Sequence, residues 1–390
     1  MDAAGKTVFL CAEGMWARGH GASHPLKPER LRRTFELLRA YGAFGVSGSA
    51  LAEPPAATRD ELALFHTAEY LDAVAALSRG EDRADAWRYG FGPGDNPVFP
   101  GMWETEALKA GGALEGARLL LAGRARTAFS FAGGFHHAGP ALAHGFCVFN
   151  DAAVVIGHLL REGLRVAYVD VDVHHCDGVQ DAFYDSDRVL TVSLHETPLT
   201  RFPGTGFPEE VGEGPGRGYS LNVPLAPFTT DDVYLWAFRR VVPPAVRRFA
   251  PDVLVTQLGA DTHFSDPLAQ LLLTTRGYVR AVEALRELAA PTRGWLALGG
   301  GGYCVELVPR AWTLAYGILS NQEFPDAFPE AYAAAYGPGY LHDAAGPVPS
   351  RRARDAAWAY ARASVEALAR EVGDLWGIEG TPTRGPEGEM

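Results

Sequence analysis

The sequence predicts an α/β protein built on a mainly parallel sheet with helices on both faces. Three observations predict it. Seven short apolar runs are bounded by turn signals: TVFLC (7–11), TAFSF (127–131), RVAYVDV (165–171), VLTVSL (189–194), YSLNVPL (219–225), DVLVTQLG (252–259) and WLALGG (295–300). These runs are nearly continuous in Val, Ile, Leu and Phe, as strands buried on both faces are. Between them, residues 28–41, 105–121, 151–162, 230–249, 276–289 and 305–319 repeat apolar side chains every three or four positions, the helical period. Strand and helix segments therefore alternate along the chain, the order of a parallel sheet covered by helices.

The 390 residues are 47% hydrophobic and 21% charged, the composition of a globular chain with a large core. No internal repeat or composition break separates two cores, so a single domain is expected over 1–379. The tail 380–390, GTPTRGPEGEM, is rich in Gly, Pro and Glu and is expected to be disordered. The Gly- and Pro-rich segment 196–218 reads as a long loop of the kind that often carries function. A formal net charge of −12 argues against nucleic-acid and anionic-membrane partners, which are bound through excess Lys and Arg. Cys11, Cys147, Cys176 and Cys304 are widely spaced, which suggests reduced thiols rather than a disulfide scaffold or a thiolate metal site. VFLCA (8–12) is too short for a signal-peptide core, and no run approaches a membrane span, so a cytoplasmic protein is expected.

In open parallel sheets ligands bind beyond the carboxyl ends of the strands, which makes the polar residues that end apolar runs the first to examine. After RVAYVDV the chain reads DVHHCDG, after DVLVTQLG it reads ADTHFSDP (260–267), and after TAFSF it reads AGGFHHAGPALAHGFCVFND (132–151). Asp172 and His174 are two apart, so on an extended segment both reach the same side. With Asp261 from another strand end they make three protein ligands plus an open position, the pattern of a catalytic zinc site. A lone DxH is short and common, and more often caps a turn. His136 and His137 are adjacent and face opposite ways, so they read as two imidazoles held by separate carboxylates, with Asp170 and Asp177 unclaimed nearby. GGGGY (299–303) lacks the Lys and Ser/Thr of a phosphate loop. Its glycines instead let backbone approach a site, leaving Tyr303 as a phenol able to donate to an oxyanion, or simply as a packing aromatic.

HPLKPER (24–30), GGFHHAGPALAHGFCVFND (133–151), YVDVDVHHCDGVQDAFY (168–184), VSLH (192–195), FPGTG (202–206), QLGADTHFSDPL (257–268) and GGGGY (299–303) together resemble the zinc-dependent histone deacetylase family. The resemblance is to its bacterial deacetylase-like and acetoin-utilisation branch, and it runs in order from about residue 20 to residue 320. It implies an arginase-like three-layer αβα fold with a mainly parallel eight-stranded sheet, and hydrolysis of an acetylated amine. By position, Asp172, His174 and Asp261 match the zinc ligands, His136 with Asp170 and His137 with Asp177 the two His–Asp pairs, and Tyr303 the carbonyl-polarising tyrosine. Phe146 and Phe202 match the walls of the acetyl-lysine tunnel, with Gly145 beside the first, Leu268 near the rim, Asp95 as the rim aspartate and Arg30 as an arginine of an internal acetate channel. The family also binds structural potassium. Asp170, Asp172, His174, Ser193 and Leu194 match one such site; Phe183, Ser186, Val189 and Tyr219 match a second. The chain departs from many members in reading HHCDG for HHGDG and FHH for WHH.

Three rivals compete with an acetyl-lysine deacetylase. A two-manganese ureohydrolase needs a later DxD, where this chain has Thr262 and His263 after Asp261. An acetylpolyamine amidohydrolase shares every catalytic group and differs at the tunnel mouth, and the acidic charge suits its cationic substrate. A non-catalytic acetyl-binding module need not keep Tyr303 together with all three ligands.

Overall fold

A computed structural model describes residues 6–46 and 48–380, so the tail expected to lack order lies, beyond Gly380, outside the described residues. In chain order the first half carries β1 (Thr7–Leu10), α1 (Glu29–Ala40), β2 (Ser49–Ala52), α2 (Arg59–Leu62), α3 (Ala68–Ser78), α4 (Met102–Leu121), β3 (Thr127–Ser130) and α5 (Asp151–Arg161). Then come β4 (Val166–Asp170), α6 (Asp177–Ala182), β5 (Val189–Glu196), β6 (Ser220–Leu225), α7 (Asp231–Phe249) and β7 (Val253–Gln257). The chain continues through α8 (Thr275–Ala289), β8 (Gly294–Leu298), α9 (Val308–Ser320), α10 (Glu330–Tyr336) and α11 (Arg351–Trp376).

The strands form one sheet in the order β2-β1-β3-β8-β7-β4-β5-β6. Every pairing in it is parallel. Because strand side chains alternate between faces, each apolar run feeds two cores. Phe9, Phe129, Ala167, Val169, Leu254 and Trp295 face one layer, which contains α1, α7, α8, α9 and α11. Val8, Leu10, Ala128, Val166, Tyr168, Val253, Val255 and Leu296 face the other, which contains α3, α4 and α5. This is the three-layer αβα architecture.

The strands β3, β8, β7 and β4 are consecutive neighbours, so the four chain segments that leave them emerge side by side at one edge. All seven runs read as strands are strands. The eighth, β2, is the edge strand SALA, short and partly exposed, whose Ser and Ala residues carry little strand preference. The 26-residue α11 is also absent from the sequence reading, because half of its buried stripe is the small residues Ala357, Ala361, Ser364 and Gly373, among charged residues. Among the described residues no helix is long and apolar enough to cross a membrane.

Helix α4 lies so close to the segment before α2 that Gly111 has no room for a side chain: a Cβ there would stand 1.9 Å from the Pro55 carbonyl oxygen. Alanine is the better helix former by about 1 kcal/mol, while overpacking against backbone costs about 1–3 kcal/mol and should win. Gly111→Ala is therefore expected to lower the thermal unfolding midpoint; a midpoint at or above the parent's would contradict this packing.

Candidate active site

The site begins where β4 stops at Asp170. The following residues do not continue as extended strand, as the sequence reading supposed, but bend. Asp170 Oδ1 accepts from the Asp172 backbone N–H at 3.0 Å, and Asp172 Oδ1 accepts from the His174 N–H at 3.0 Å. Such Asp-to-backbone bonds, two residues on, compete with a ladder and turn the chain. Asp172 and His174 still reach one point. His174 Nδ1 lies 3.0 Å from Asp172 Oδ1 and 3.2 Å from Asp261 Oδ2, Asp261 having arrived on the segment after β7.

These three buried residues present ligand atoms all within 4.8 Å of one another, and they are the one such His/Cys/Asp/Glu group among the described residues. The donor set fits a divalent ion. Burial and the charge of Asp172 raise the Asp261 carboxyl to about 8. For Asp172, burial opposes ionisation, yet His136 and His174 hold its carboxyl well below the usual range. Burial likewise disfavours a charged His174, but its bonds to both carboxylates override that and lift it to about 10. Left to protons alone, the cluster collects positive charge, and a dication would displace those protons. Zinc takes a mixed carboxylate and imidazole set of this kind.

Backbone closes in on the carboxylates from the run after β8. Gly301 N–H donates to Asp172 Oδ2 at 2.7 Å, and Gln257 Nε2 donates to the same oxygen at 2.6 Å. A Cβ at Gly301 would stand 2.0 Å from Asp261 Oδ2, so the glycine run is required by close approach. Arg30, buried in α1, donates from Nη1 to the carbonyls of Gly300 at 2.7 Å and Gly302 at 3.1 Å. It also lines a small cavity with Arg18, His20, Lys27, Lys109 and Phe135.

His136 and His137 occupy the segment after β3, and each has its own carboxylate. His136 Nδ1 lies 2.7 Å from Asp170 Oδ2, and His137 Nδ1 lies 2.6 Å from Asp177 Oδ1. Their Nε2 atoms are 3.0 Å apart, so one of them donates to the other. The pair is electrically uneven. Burial opposes charge on both, but Asp170 and Asp172 lift His136 to about 9, whereas burial and the adjacent His136 press His137 down to about 3. At neutral pH the pair therefore holds one cation, on His136, and one free imidazole.

Aromatic rings surround this point. Tyr303 lies 6.3 Å from the His174 ring and 5.7 Å from Phe146, while Phe202 lies 4.9 Å from His137 and 6.3 Å from His174. Burial and the charges of Asp261 and Asp172 push the Tyr303 phenol well above its ordinary value, so it keeps its proton. Asp266 Oδ2 holds the Tyr303 backbone N–H at 2.7 Å, and its Oδ1 holds that of Leu268 at 2.9 Å. Asp95 is exposed, and its carbonyl faces His24 Nε2 at 3.1 Å. Gly145 and Phe146 both have positive φ, 53° and 70°.

Of the residues matched to potassium, Asp170 and Ser193 are register partners on β4 and β5 and Leu194 follows, near Asp172 and His174. Phe183, Ser186, Val189 and Tyr219 gather at the amino end of β5, where Thr191 N–H donates to the Tyr219 carbonyl. Gln257, Tyr168, Asp266 and His144 were missed. Tyr168 OH donates to Asp170 Oδ2 at 2.6 Å from inside an apolar strand, where its pattern is that of core. His263, in the position where a second metal carboxylate would fall, is committed to Asp343 at 2.8 Å and Ser265 at 2.9 Å. The four cysteines are unpaired, and burial raises the thiols of Cys147 and Cys176 well above normal.

A parallel αβα sheet with carboxylates, imidazoles and a phenol converging past four adjacent strand ends belongs to the metal-dependent hydrolases of arginase-like fold. The chain is a member of the histone deacetylase family: the histone deacetylase domain matches residues 24–319. It is 41% identical over 328 residues to the acetoin utilization protein AcuC of Bacillus subtilis, covering 82% of this chain and 84% of that protein. It is 37% identical over 306 residues to the histone deacetylase RPD3 of Saccharomyces cerevisiae, covering 77% and 69%. The crystal structure of a histone deacetylase homologue from Aquifex aeolicus superposes with a TM-score of 0.82 at 31% identity, over 91% of this chain and 99% of that one. A homologue complexed with SAHA gives 0.81 at 32% identity, with the same coverage. The protein is a deacetylase, a hydrolase of acetylated amide bonds, in a family whose norm is zinc dependence.

Gly301→Ala should leave the fold intact and lower metal affinity, because the methyl group displaces Asp261 and the Gly301 N–H that orients Asp172. Supporting bonds of this kind are worth about 10–100-fold in affinity. Competition with a chromophoric chelator measures it, and parental affinity would contradict the role given to the glycine run.

Proposed function

We propose that the protein removes acetyl groups from acetylated lysine side chains, with Asp172, His174 and Asp261 holding one zinc ion. The observation that carries this reading is the convergence of that ligand set with His137 and Tyr303 between the rings of Phe146 and Phe202. Zinc, when bound, supplies a Lewis acid that acidifies water and polarises a carbonyl. His137, kept neutral by burial and by the cation on His136, takes the proton of the attacking water, and Asp177 fixes its ring through Nδ1. Tyr303, its phenol protonated, donates to the oxyanion as the tetrahedral carbon forms. The charged member of the histidine pair supplies the proton for the departing amine, leaving acetate and a free amine.

Phe146 and Phe202 flank the lysine stem as tunnel walls with Gly145 between them, Leu268 lies at the rim, and the exposed Asp95 receives the substrate's backbone or, in a small substrate, a second ammonium. Arg30 borders the inner cavity that would receive acetate. Potassium is assigned to Asp170, Asp172, His174, Ser193 and Leu194, and to Phe183, Ser186, Val189 and Tyr219. Support for the first comes from the pairing of Asp170, at the carboxyl end of β4, with Ser193 on β5, and for the second from the cluster at the amino end of β5.

The net charge of −12 also suits an acetylated polyamine, so turnover of an acetyl-lysine peptide and of an N-acetylated polyamine is to be compared on the same preparation. The peptide is expected to be the better substrate by kcat/KM; the reverse order would reassign the substrate and keep the chemistry. Tyr303→Phe keeps the ring and removes only the hydroxyl. Loss of the oxyanion donor should reduce kcat about a hundredfold to a thousandfold with KM little changed. Parental turnover in that variant would remove Tyr303 from the mechanism.

A further inference from the structure

Asp177, which orients His137, holds a second imidazole that the mechanism does not use. Its Oδ1 faces His137 Nδ1 at 2.6 Å and accepts from the Gly178 N–H at 2.9 Å. Its other oxygen, Oδ2, lies 3.2 Å from His144 Nδ1. The His144 ring lies 4.7 Å from the ring of Phe202 and 6.2 Å from that of His137, so it stands beside both the base and the tunnel wall.

His144 is held there by a turn rather than by chance of a surface rotamer. His144 N–H donates to the Cys147 carbonyl at 3.1 Å and Cys147 N–H to the His144 carbonyl at 2.9 Å. The two residues between them, Gly145 and Phe146, have φ of 53° and 70°, as a tight two-residue hairpin with both central φ positive requires. Phenylalanine in that conformation is strained, and strain of this kind persists where surrounding structure imposes it. One turn thus sets both the ring of Phe146 and the imidazole of His144. The His144 side chain is 36% exposed, whereas those of His136 and His137 are almost fully buried.

We propose that His144 is a positioning residue for hydrolysis: it anchors the outer oxygen of Asp177 and thereby fixes the carboxylate that aims His137. The proposal rests on the reading of His137 as the base. The groups facing His144 are Asp177 on α6, Asp95 across the mouth and His137 behind. The 3.2 Å contact with Asp177 and the negative charges of Asp177 and Asp95 raise its pKa against burial, so the cation persists to higher pH than in a free imidazole and is lost as pH rises through the raised value.

Two measurements test this. In the first, kcat and KM on the acetyl-lysine peptide are compared for the parent, His144→Ala and His144→Asn, since the Asn amide can donate to Asp177 from nearly the same place as Nδ1. His144→Ala should lower kcat about three- to tenfold with KM unchanged, the fold-change expected for one hydrogen bond, and His144→Asn should restore it. Parental kcat in His144→Ala, an equal loss in His144→Asn, or an effect on KM alone would each overturn the proposal. The second needs no turnover: in histidine-labelled protein followed by NMR, His144 should titrate above 6.5, and Asp177→Asn should bring it back down. An unmoved titration would show that the contact is not made in solution and overturn the proposal. Absence of turnover in the parent itself would refute the function above instead, while the NMR titration would still decide the contact.

Discussion

Two carboxylates buried side by side, Asp172 and Asp261, are the constraint to which the rest of the structure responds. Bare, such a pair is costly, and buried charge is tolerated only when paired and hydrogen-bonded. Each is supplied from a different strand end: Asp172 accepts from Gly301 N–H and Gln257, and Asp261 accepts from Val173 N–H. The remaining demand for positive charge is what draws a metal ion. The sheet order follows the same need, since only neighbouring β4, β7 and β8 can bring Asp172, Asp261 and the glycine run within hydrogen-bond distance.

The negative centre also explains the polarity of the histidine pair. His136 bonds to Asp170 and feels Asp172, so it takes the proton, and burial together with that charge across 3.0 Å keeps the proton off His137. Two chemically identical side chains, adjacent in sequence, thus acquire opposite states, His136 from the carboxylates around it and His137 from burial and its neighbour's charge. Burial, and then the charges of Asp261 and Asp172, oppose ionisation of Tyr303 and keep its phenol protonated. In the proposed mechanism the metal ligands, the base and the oxyanion donor therefore all depend on one buried group of carboxylates.

Most of the fold was legible because buried parallel strands leave nearly uninterrupted apolar runs, and the polar residues that end those runs stand out. Asp172, His174, Asp261 and the His136–His137 pair are of this sort. β2 was not legible, since SALA at a half-exposed edge has no such contrast, and half of the buried stripe of α11 is small residues that stand out little from their neighbours. Gln257 and Tyr168 sit inside strands where their neighbours are apolar, so only the third dimension shows that Gln257 Nε2 meets Asp172 and Tyr168 OH meets Asp170. His144 lay within a quoted motif and carried no spacing signal, because its partner Asp177 comes from a different segment. The bend after Asp170 was missed for a related reason: Asp170 and Asp172 capture backbone N–H groups that an extended strand would have left to its neighbours.

The metal dependence of the reaction is the central claim, and it is tested most directly by stripping the protein with a chelator, verifying the metal content by elemental analysis, and titrating zinc back while following hydrolysis of an acetyl-lysine peptide. One buried ligand group among the described residues implies that turnover vanishes on stripping and returns in full at one zinc per chain. Undiminished hydrolysis by protein shown to be metal-free, or recovery only at a second equivalent, would contradict it.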